Sequence, residues 1–421
     1  MTNSDRGLMS IMADMQTNAE EAAAEPLRRS KRLWMAIILG SLASFGPLSL
    51  DMYLPALPAI GDDLHTSASL IQLSLTACML GLSLGQLFAG PLSDIRGRRL
   101  PLIAGLIVYA VSSVLCVYAP SIWTFVGLRF IQGMAGAAGI VISRAVVRDL
   151  YSGTEMTKFF ALLMLVNGAA PILAPVVGAQ ILQITNWRGV FAVLAVIGAV
   201  MAAAVCLGFR ETLPPERRMS GGIRTTFTAF GRLLGNRTFM GFALTQGLVM
   251  AAMFAYIAGS PFVLQDIFGL SPQMYSLCFA VNGLGIIIAS QATGRLAARV
   301  GESKLLAAGL SIAAGGGALL LAAAAAGIGL YTILPALFLI VSSVGIVSTS
   351  TFALAMQNQG QAAGSASALL GLLSFIFGGV AAPFVGIAGS GTAVPLAIVI
   401  AACEAGAIVT YMVLIARRSR V

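Results

Sequence analysis

The sequence predicts an all-α polytopic membrane protein, with twelve transmembrane helices in two six-helix halves. Three observations predict it. Of the 421 residues, 58% are hydrophobic and 10% charged, where soluble domains run near 25% charged. At about 20 apolar residues per crossing, that content suffices for about twelve spans and uses up nearly the whole chain. The apolar runs fall six on each side of one long polar break, and one glycine motif recurs at the same place in each half. An aqueous enzyme on a single anchor is excluded, and too little polar sequence is left for a nucleotide-binding domain.

Taken in order, residues 1–32 are polar and mixed in charge and read as a disordered cytoplasmic tail. Runs bounded by proline, glycine or charge then mark spans at 33–54, 69–91, 101–119, 121–142, 159–183 and 187–209, an N-terminal half of 33–209. Residues 210–238, which open RETLPPERR, read as a cytoplasmic linker. The second half, 239–421, holds spans at 239–260, 274–294, 304–325, 329–350, 363–388 and 393–415, then a short cytoplasmic tail. Gly90 to Arg99 reads GPLSDIRGRR after the second span, and Gly294 to Ser303 reads GRLAARVGES after the eighth. The shared spacing Gly-x-Leu-x-x-x-x-Gly points to a duplicated six-helix unit, with a binding site near the bilayer midplane between the halves.

All but two of the 25 lysines and arginines fall in the tails, the linker and alternate loops. Cytoplasmic loops collect such residues, so both termini and the linker are placed in the cytoplasm. The net charge of +9 is thereby a mark of topology, and no nucleic acid partner is expected. The exceptions are Arg188, in an outer loop, and Arg129, inside a span. Five scattered cysteines and a single histidine, His65, speak against disulfides and metal sites. Neither cofactor nor metal is expected: no GxxxxGK[ST] loop, HExxH or hydrolase elbow is present.

Ionisable groups inside a span are costly and are functional candidates by default. Three stand here, Asp51, Arg129 and Glu404. Asp51 lies about 5 Å from the outer end of span 1 and Arg129 about 10 Å inside span 4, within reach of an arginine side chain. Gln132 and Gly133 lie one turn below Arg129, and Ser44 and Pro47 continue the Asp51 face inward. An aspartate balanced between desolvation and a nearby arginine can take up and release a proton. Alternatively, Asp51 with Met52, Tyr53, Leu54 and Pro55 ends the helix at the headgroup level. Glu404 reads as a protonated structural group of the last span.

Gly168, Pro171, Pro175 and Gly178 form a stripe on span 5, suited to helices that slide or rock against each other. Gly364, Ala368, Gly371 and Gly378 repeat it on span 11. In the loop of Gly90, Asp94, Gly97, Arg98 and Arg99, the expectation is a latch. Asp94 would stabilise the positive end of a helix from the other half, and the arginines would pair with inner-surface carboxylates. Simple topogenic charge is the alternative. Tyr53, Tyr256, Phe262, Tyr275, Asn282 and Gln357 are candidates to line a cavity, and 18 methionines suit adaptable apolar binding.

These residues carry a resemblance. SLDMYLPALPAI (Ser49 to Ile60), GQLFAGPLSDIRGRR (Gly85 to Arg99), LRFIQGMAGAAG (Leu128 to Gly139), APILAPVVGA (Ala170 to Ala179) and AAGSASALLG (Ala362 to Gly371) resemble the drug:proton antiporters of the major facilitator superfamily. The group is Bcr/CflA, which includes bicyclomycin-resistance and chloramphenicol-export proteins. The resemblance runs from about Leu33 to Arg418 and implies the major facilitator fold. It implies that Gly90 to Arg99 is the gating motif, that Arg129 belongs to the proton-coupling motif of the fourth helix, and that Gly168 to Gly178 is the antiporter motif. It also implies that Asp51 carries the proton and contacts drugs. Ala43 and Ser44 stand where some relatives have a second acid.

The function expected is proton-coupled efflux of hydrophobic drugs across the bacterial inner membrane by alternating access, with no enzymatic activity. Asp51 and Arg129 would couple the proton, and Asp51, Tyr53, Gln132, Tyr256 and Asn282 would contact substrate. The partners expected are drug molecules, protons and the lipid bilayer, and a monomer suffices. Two rivals stay open: a transporter of one native metabolite such as an amino acid derivative or sugar, and a membrane-embedded enzyme or receptor.

Overall fold

The computed structural model describes residues 34–151, 153–218, 224–357, 363–387 and 391–416. The expected N-terminal tail, the end of the C-terminal tail and part of the linker lie outside them. Span 1 is made of α1 (Trp34–Ala43), α2 (Phe45–Asp51) and α3 (Leu57–Asp63), with a 40° bend between α1 and the rest. Helix was expected to stop at 54; it runs on to Asp63. Pro55 and Pro58 fall in the first turns of a 3₁₀ turn (Leu54–Ala56) and of α3, where a missing N–H costs nothing. There follow α4 (Ala68–Arg96), α5 (Arg99–Val117), α6 (Ile122–Leu150), α7 (Gly153–Ile184) and α8 (Trp187–Gly208). The linker is not wholly irregular, since it holds α9 (Arg224–Gly235). The second set comprises α10 (Arg237–Pro261), α11 (Pro272–Val300), α12 (Glu302–Ala325), α13 (Leu330–Met356), α14 (Ala363–Ala381) and α15 (Val394–Tyr411). With α1 to α3 as one and α9 set aside, twelve helical spans result.

Several helices, such as the 29-residue α4, α6 and α11, outrun the roughly 20 residues a bilayer needs. Their ends therefore stand clear of the hydrocarbon. The duplicated motif has a structural signature: Gly97 and Gly301 end α4 and α11 with φ of +87° and +88°. Such left-handed backbone favours glycine, and it turns the chain into α5 and α12. The exceptional Arg188 is neutralised. It donates to Asp63 at 2.7 Å and lies over the Trp187 ring at 4.3 Å.

The two helix sets touch unequally. Among the described residues, five side-chain hydrogen bonds join them: Ser69 to Pro383 O, Gln72 to Ala258 O, Thr76 to Gly379 O, Gln273 to Ala179 O and Ser276 to Pro175 O. All lie at the end away from the basic loops, where α4 and α11 begin and α7, α10 and α14 finish. The bundle is closed at that end. Between the sets, a cavity of about 320 Å³ continues into a vestibule of about 680 Å³, with Gln86, Arg144 and Phe375 lining both.

Candidate functional site

Helical periodicity sorts span 1 into two faces. Gly46, Pro47, Leu50 and Asp51 line the cavity, at the i, i+1, i+4, i+5 spacing of one helix face. Ser49 and Tyr53, one turn apart, look into the first helix set. Ser49 Oγ meets Tyr109 OH at 2.8 Å, and Tyr53 OH meets Ser74 Oγ at 3.0 Å. Tyr53 was expected against substrate. It is fully buried in the core instead, because it shares the Ser49 face rather than the Asp51 face.

Arg129 belongs to the same interior. Its Nη2 donates to Ser49 O at 2.5 Å, its Nη1 donates to Gln132 Oε1, and its guanidinium lies 4.2 Å from the Tyr53 ring centre and 5.5 Å from that of Phe191. Gln132 passes the chain on to Ser113 Oγ at 2.6 Å. The expected Asp51–Arg129 ion pair is not formed: among the described residues, no cation lies within 4.0 Å of the Asp51 carboxylate. The reason is rotational, since Asp51 follows Ser49 by two residues, about 200° around the helix. Gln132, expected at the substrate, is likewise wholly buried beneath Arg129.

Most of the remaining cavity wall is apolar or aromatic, including Met250, Met253, Phe254 and Phe279, with Gln86, Arg144 and Asn282 as polar members. Two expected residues are there: Asn282 Nδ2 donates to Tyr256 OH at 2.9 Å, and Tyr256 stacks on Phe279 with centroids 5.7 Å apart. The sequence reading missed Arg144. It passed for topogenic charge, yet α6 continues past the expected end at 142 and carries Arg144 into the cavity wall.

The α7 stripe faces both neighbours that matter. A Cβ on Gly178 would fall 1.8 Å from Met52 O, next to Asp51, so only glycine allows that approach. Pro171 lines the cavity, Pro175 O accepts from Ser276 of α11, and Gly168 lies opposite Ile287. On α14, Gly378 packs on Phe254 and Met79, while the Gly364 position falls outside the described side chains.

At the basic end, the Gly90 loop is tied within the first helix set and to the linker. Arg98 pairs with Asp94 at 2.5 Å and with Asp149 at 2.8 Å. The Glu211 carboxylate caps the start of α5, accepting from the backbone N–H of Arg98 and Arg99 at 2.8 and 3.1 Å. Gly97 is needed twice over: its φ is positive, and a Cβ would meet Glu211 Oε2 at 2.5 Å. The expected latch of Asp94 onto the other half is not made here, because the turn at Gly97 brings Arg98 back onto Asp94. Asp149 and Glu211 were not singled out in the sequence; the charges of RDL and RET were the available signals. Glu404 is buried in α15 facing Gly317 of α12, and neither carboxylate oxygen has a hydrogen-bond partner among the described residues.

Residues 33–383 match the model of the Major Facilitator Superfamily. The chain belongs to the Major Facilitator Superfamily. Like other members it is a membrane-spanning transporter of small molecules and not an enzyme. Among its superfamily relatives, an uncharacterized MFS-type transporter, YdgK, of Bacillus subtilis (strain 168) is 45% identical over 87% of this chain and 91% of that protein. The bicyclomycin resistance protein homolog of Haemophilus influenzae is 29% identical over 90% and 96%, and the chloramphenicol resistance protein of Pseudomonas aeruginosa 30% over 65% and 64%. The chain thus groups with the drug-resistance branch of the superfamily. Its fold matches a bacterial homolog of the human lysosomal transporter Spinster, inward-facing and unoccupied (TM-score 0.72, 16% identity, 91% and 95% covered). It also matches the nucleoside transporter NupG (TM-score 0.73, 13% identity, 92% and 99% covered).

Proposed function

We propose that this transporter exports hydrophobic small molecules of the bicyclomycin or chloramphenicol type across the inner membrane in exchange for protons, by alternating access. The observation that carries the reading is Asp51, a carboxylate with no cation within 4.0 Å among the described residues, set in a mostly apolar cavity between the helix sets that Met250 and Met253 help to line. A proton is a counter-charge that such a site can gain and lose as it is opened in turn to either side. The closed end away from the basic loops and the vestibule at the basic end support reading this as an inward-open state, and the charge distribution supports cytoplasmic termini and linker. We read residues 33–209 and 239–421 as the halves that rock, 1–32 as the tail and 210–238 as the linker, in a monomer. Arg129 acts at one remove, fixing the backbone at Ser49 beside Asp51 rather than pairing with it.

The test is proton movement in proteoliposomes bearing a proton gradient, with chloramphenicol, bicyclomycin and a cationic dye added in turn. Drug addition should release protons from wild type and not from Asp51→Asn. Flux that survives the substitution refutes the role of Asp51. Flux with one native metabolite and none with any drug would favour the single-metabolite reading.

A further inference from the structure

We propose that the cavity selects dipolar amphiphiles, molecules that place an acidic group on Arg144 and, several bonds away, a cationic or hydrogen-bond-donating group on Asp51. This rests on the cavity being the substrate site of the exporter. The first observation is that Arg144 is a cation with no ion-pair or hydrogen-bond partner among the described residues. Its counterparts are spoken for: Arg98 by Asp94 and Asp149, Arg188 by Asp63, and Arg129 by Ser49 O and Gln132. Among the described residues, Arg144 has neither a carboxylate within 4.0 Å nor a hydrogen-bond acceptor, yet it lines both cavity and vestibule. Arg148, one turn on, lines the vestibule too, and among the described residues no acidic one is in that wall.

The second observation is geometric. A Cβ on Gly46 would lie 3.0 Å from Ile140 Cδ1, a side-chain tip, and one on Gly139 would lie 2.9 Å from Leu42 O, so the Ile140 backbone is no higher than that of Gly46. Asp51 is five residues above Gly46 and Arg144 four below Ile140, an axial offset of at least about 13 Å at the backbone. Helical Cβ atoms tilt toward the helix N-terminus. Because α2 and α6 run in opposite directions, the Asp51 and Arg144 side chains tilt toward each other. The charges therefore stand closer than that offset, but not in contact. Met253, Phe254 and Phe279 line the same cavity, a wall for an apolar body. A guanidinium binds a carboxylate in bidentate fashion, while the far Asp51 can accept an ammonium or amide N–H. Several bonds must separate the two groups, so a dipeptide-like zwitterion fits better than a single amino acid.

The experiment uses purified full-length protein and four forms of one probe: alanyl-phenylalanine, its C-terminal amide, its N-acetyl form, and the N-acetyl amide. They carry both charges, only the cation, only the anion, and none. Binding is measured calorimetrically in uncharged maltoside micelles. Wild type should bind the free dipeptide most tightly. Arg144→Gln should weaken the two acid-bearing forms about tenfold, the worth of one charged hydrogen bond, and the two amides little. Arg144→Lys should restore part of the acid preference, which a misfolded variant would not. Equal affinity for all four forms, or an unchanged preference in Arg144→Gln, overturns the proposal. Repeating the titration in phosphatidylcholine vesicles with and without phosphatidylglycerol separates the sources of the acid. Loss of dipeptide binding in step with the anionic lipid would reassign Arg144 to a headgroup and overturn it as well. Drug-driven proton release is measured apart, so that the export reading and the dipolar site fail independently.

Discussion

Two glycines of α6 should respond to alanine with opposite signs. At Gly133 a Cβ would fall 2.2 Å from Cys78 O and 3.0 Å from Cys78 C, both backbone atoms of α4. Ordinary contact begins near 3.4 Å, so α4 and α6 would have to part by more than 1 Å. A gap of that size forfeits a quarter to a half of the dispersion between the facing atoms, and overpacking of this kind costs about 1–3 kcal/mol. Against it stands the helix preference of alanine over glycine, about 1 kcal/mol. Gly133→Ala should therefore lose about 1 kcal/mol net, and at most about 2. Gly127, less than two turns earlier, has nothing within 4 Å of its Cβ position, so Gly127→Ala should gain up to about 1 kcal/mol. Labelling of the buried thiols by a maleimide dye on heating reads this directly, because Cys78 is itself at the contact and wholly buried. The midpoint should fall for Gly133→Ala and hold or rise for Gly127→Ala. Equal midpoints in the two variants would refute the close approach of α4 and α6.

Other outcomes follow from the same geometry. Tyr53→Phe should leave drug KM unchanged, since Tyr53 faces the core, whereas Asn282→Ala should raise it several-fold; a larger effect at Tyr53 in reconstituted transport would reverse that assignment. Burial raises the Glu211 carboxyl, but N–H donors from Leu213, Arg98, Arg99 and Thr212 outweigh it and leave it below the usual carboxylate range. Its stabilisation is then present above about pH 4.3, the unfolded value, and is lost as pH falls through the lower folded value. Glu211→Gln should cost about 1 kcal/mol at pH 7, after allowance for exposure, and flatten the acid limb of thermal stability; an unchanged limb would count against the cap. Glu404→Met should be neutral or stabilising by about 1–2 kcal/mol, since neither oxygen is partnered among the described residues; a loss of fold in the same heating assay would show that the carboxyl is engaged.

Much of the architecture was legible in the sequence because bilayer thickness forces it to be. Apolar run length gave the spans, and the Gly90 and Gly294 motifs gave the duplication that Gly97 and Gly301 display in matching backbone angles. Asp51 was legible as a candidate because charge inside a span is rare. Its partner was not, for hydropathy fixes depth and says little of rotation. Tyr53, Gln132 and Arg129 share the depth of a midplane site but point into the first helix set, and Arg144 shares the signature of a topogenic residue but points into the cavity.

The sequence by itself determined that this chain crosses the membrane twelve times in two related sets, and which residue types are too costly there to be idle. Only the tertiary structure decided which faces meet, because side-chain direction depends on the bend at Ser44, on glycine contacts such as Gly133 with Cys78 and Gly178 with Met52, and on the angle at which the helices are held. That choice sends Arg129 to the Ser49 carbonyl and leaves Asp51 open to the cavity.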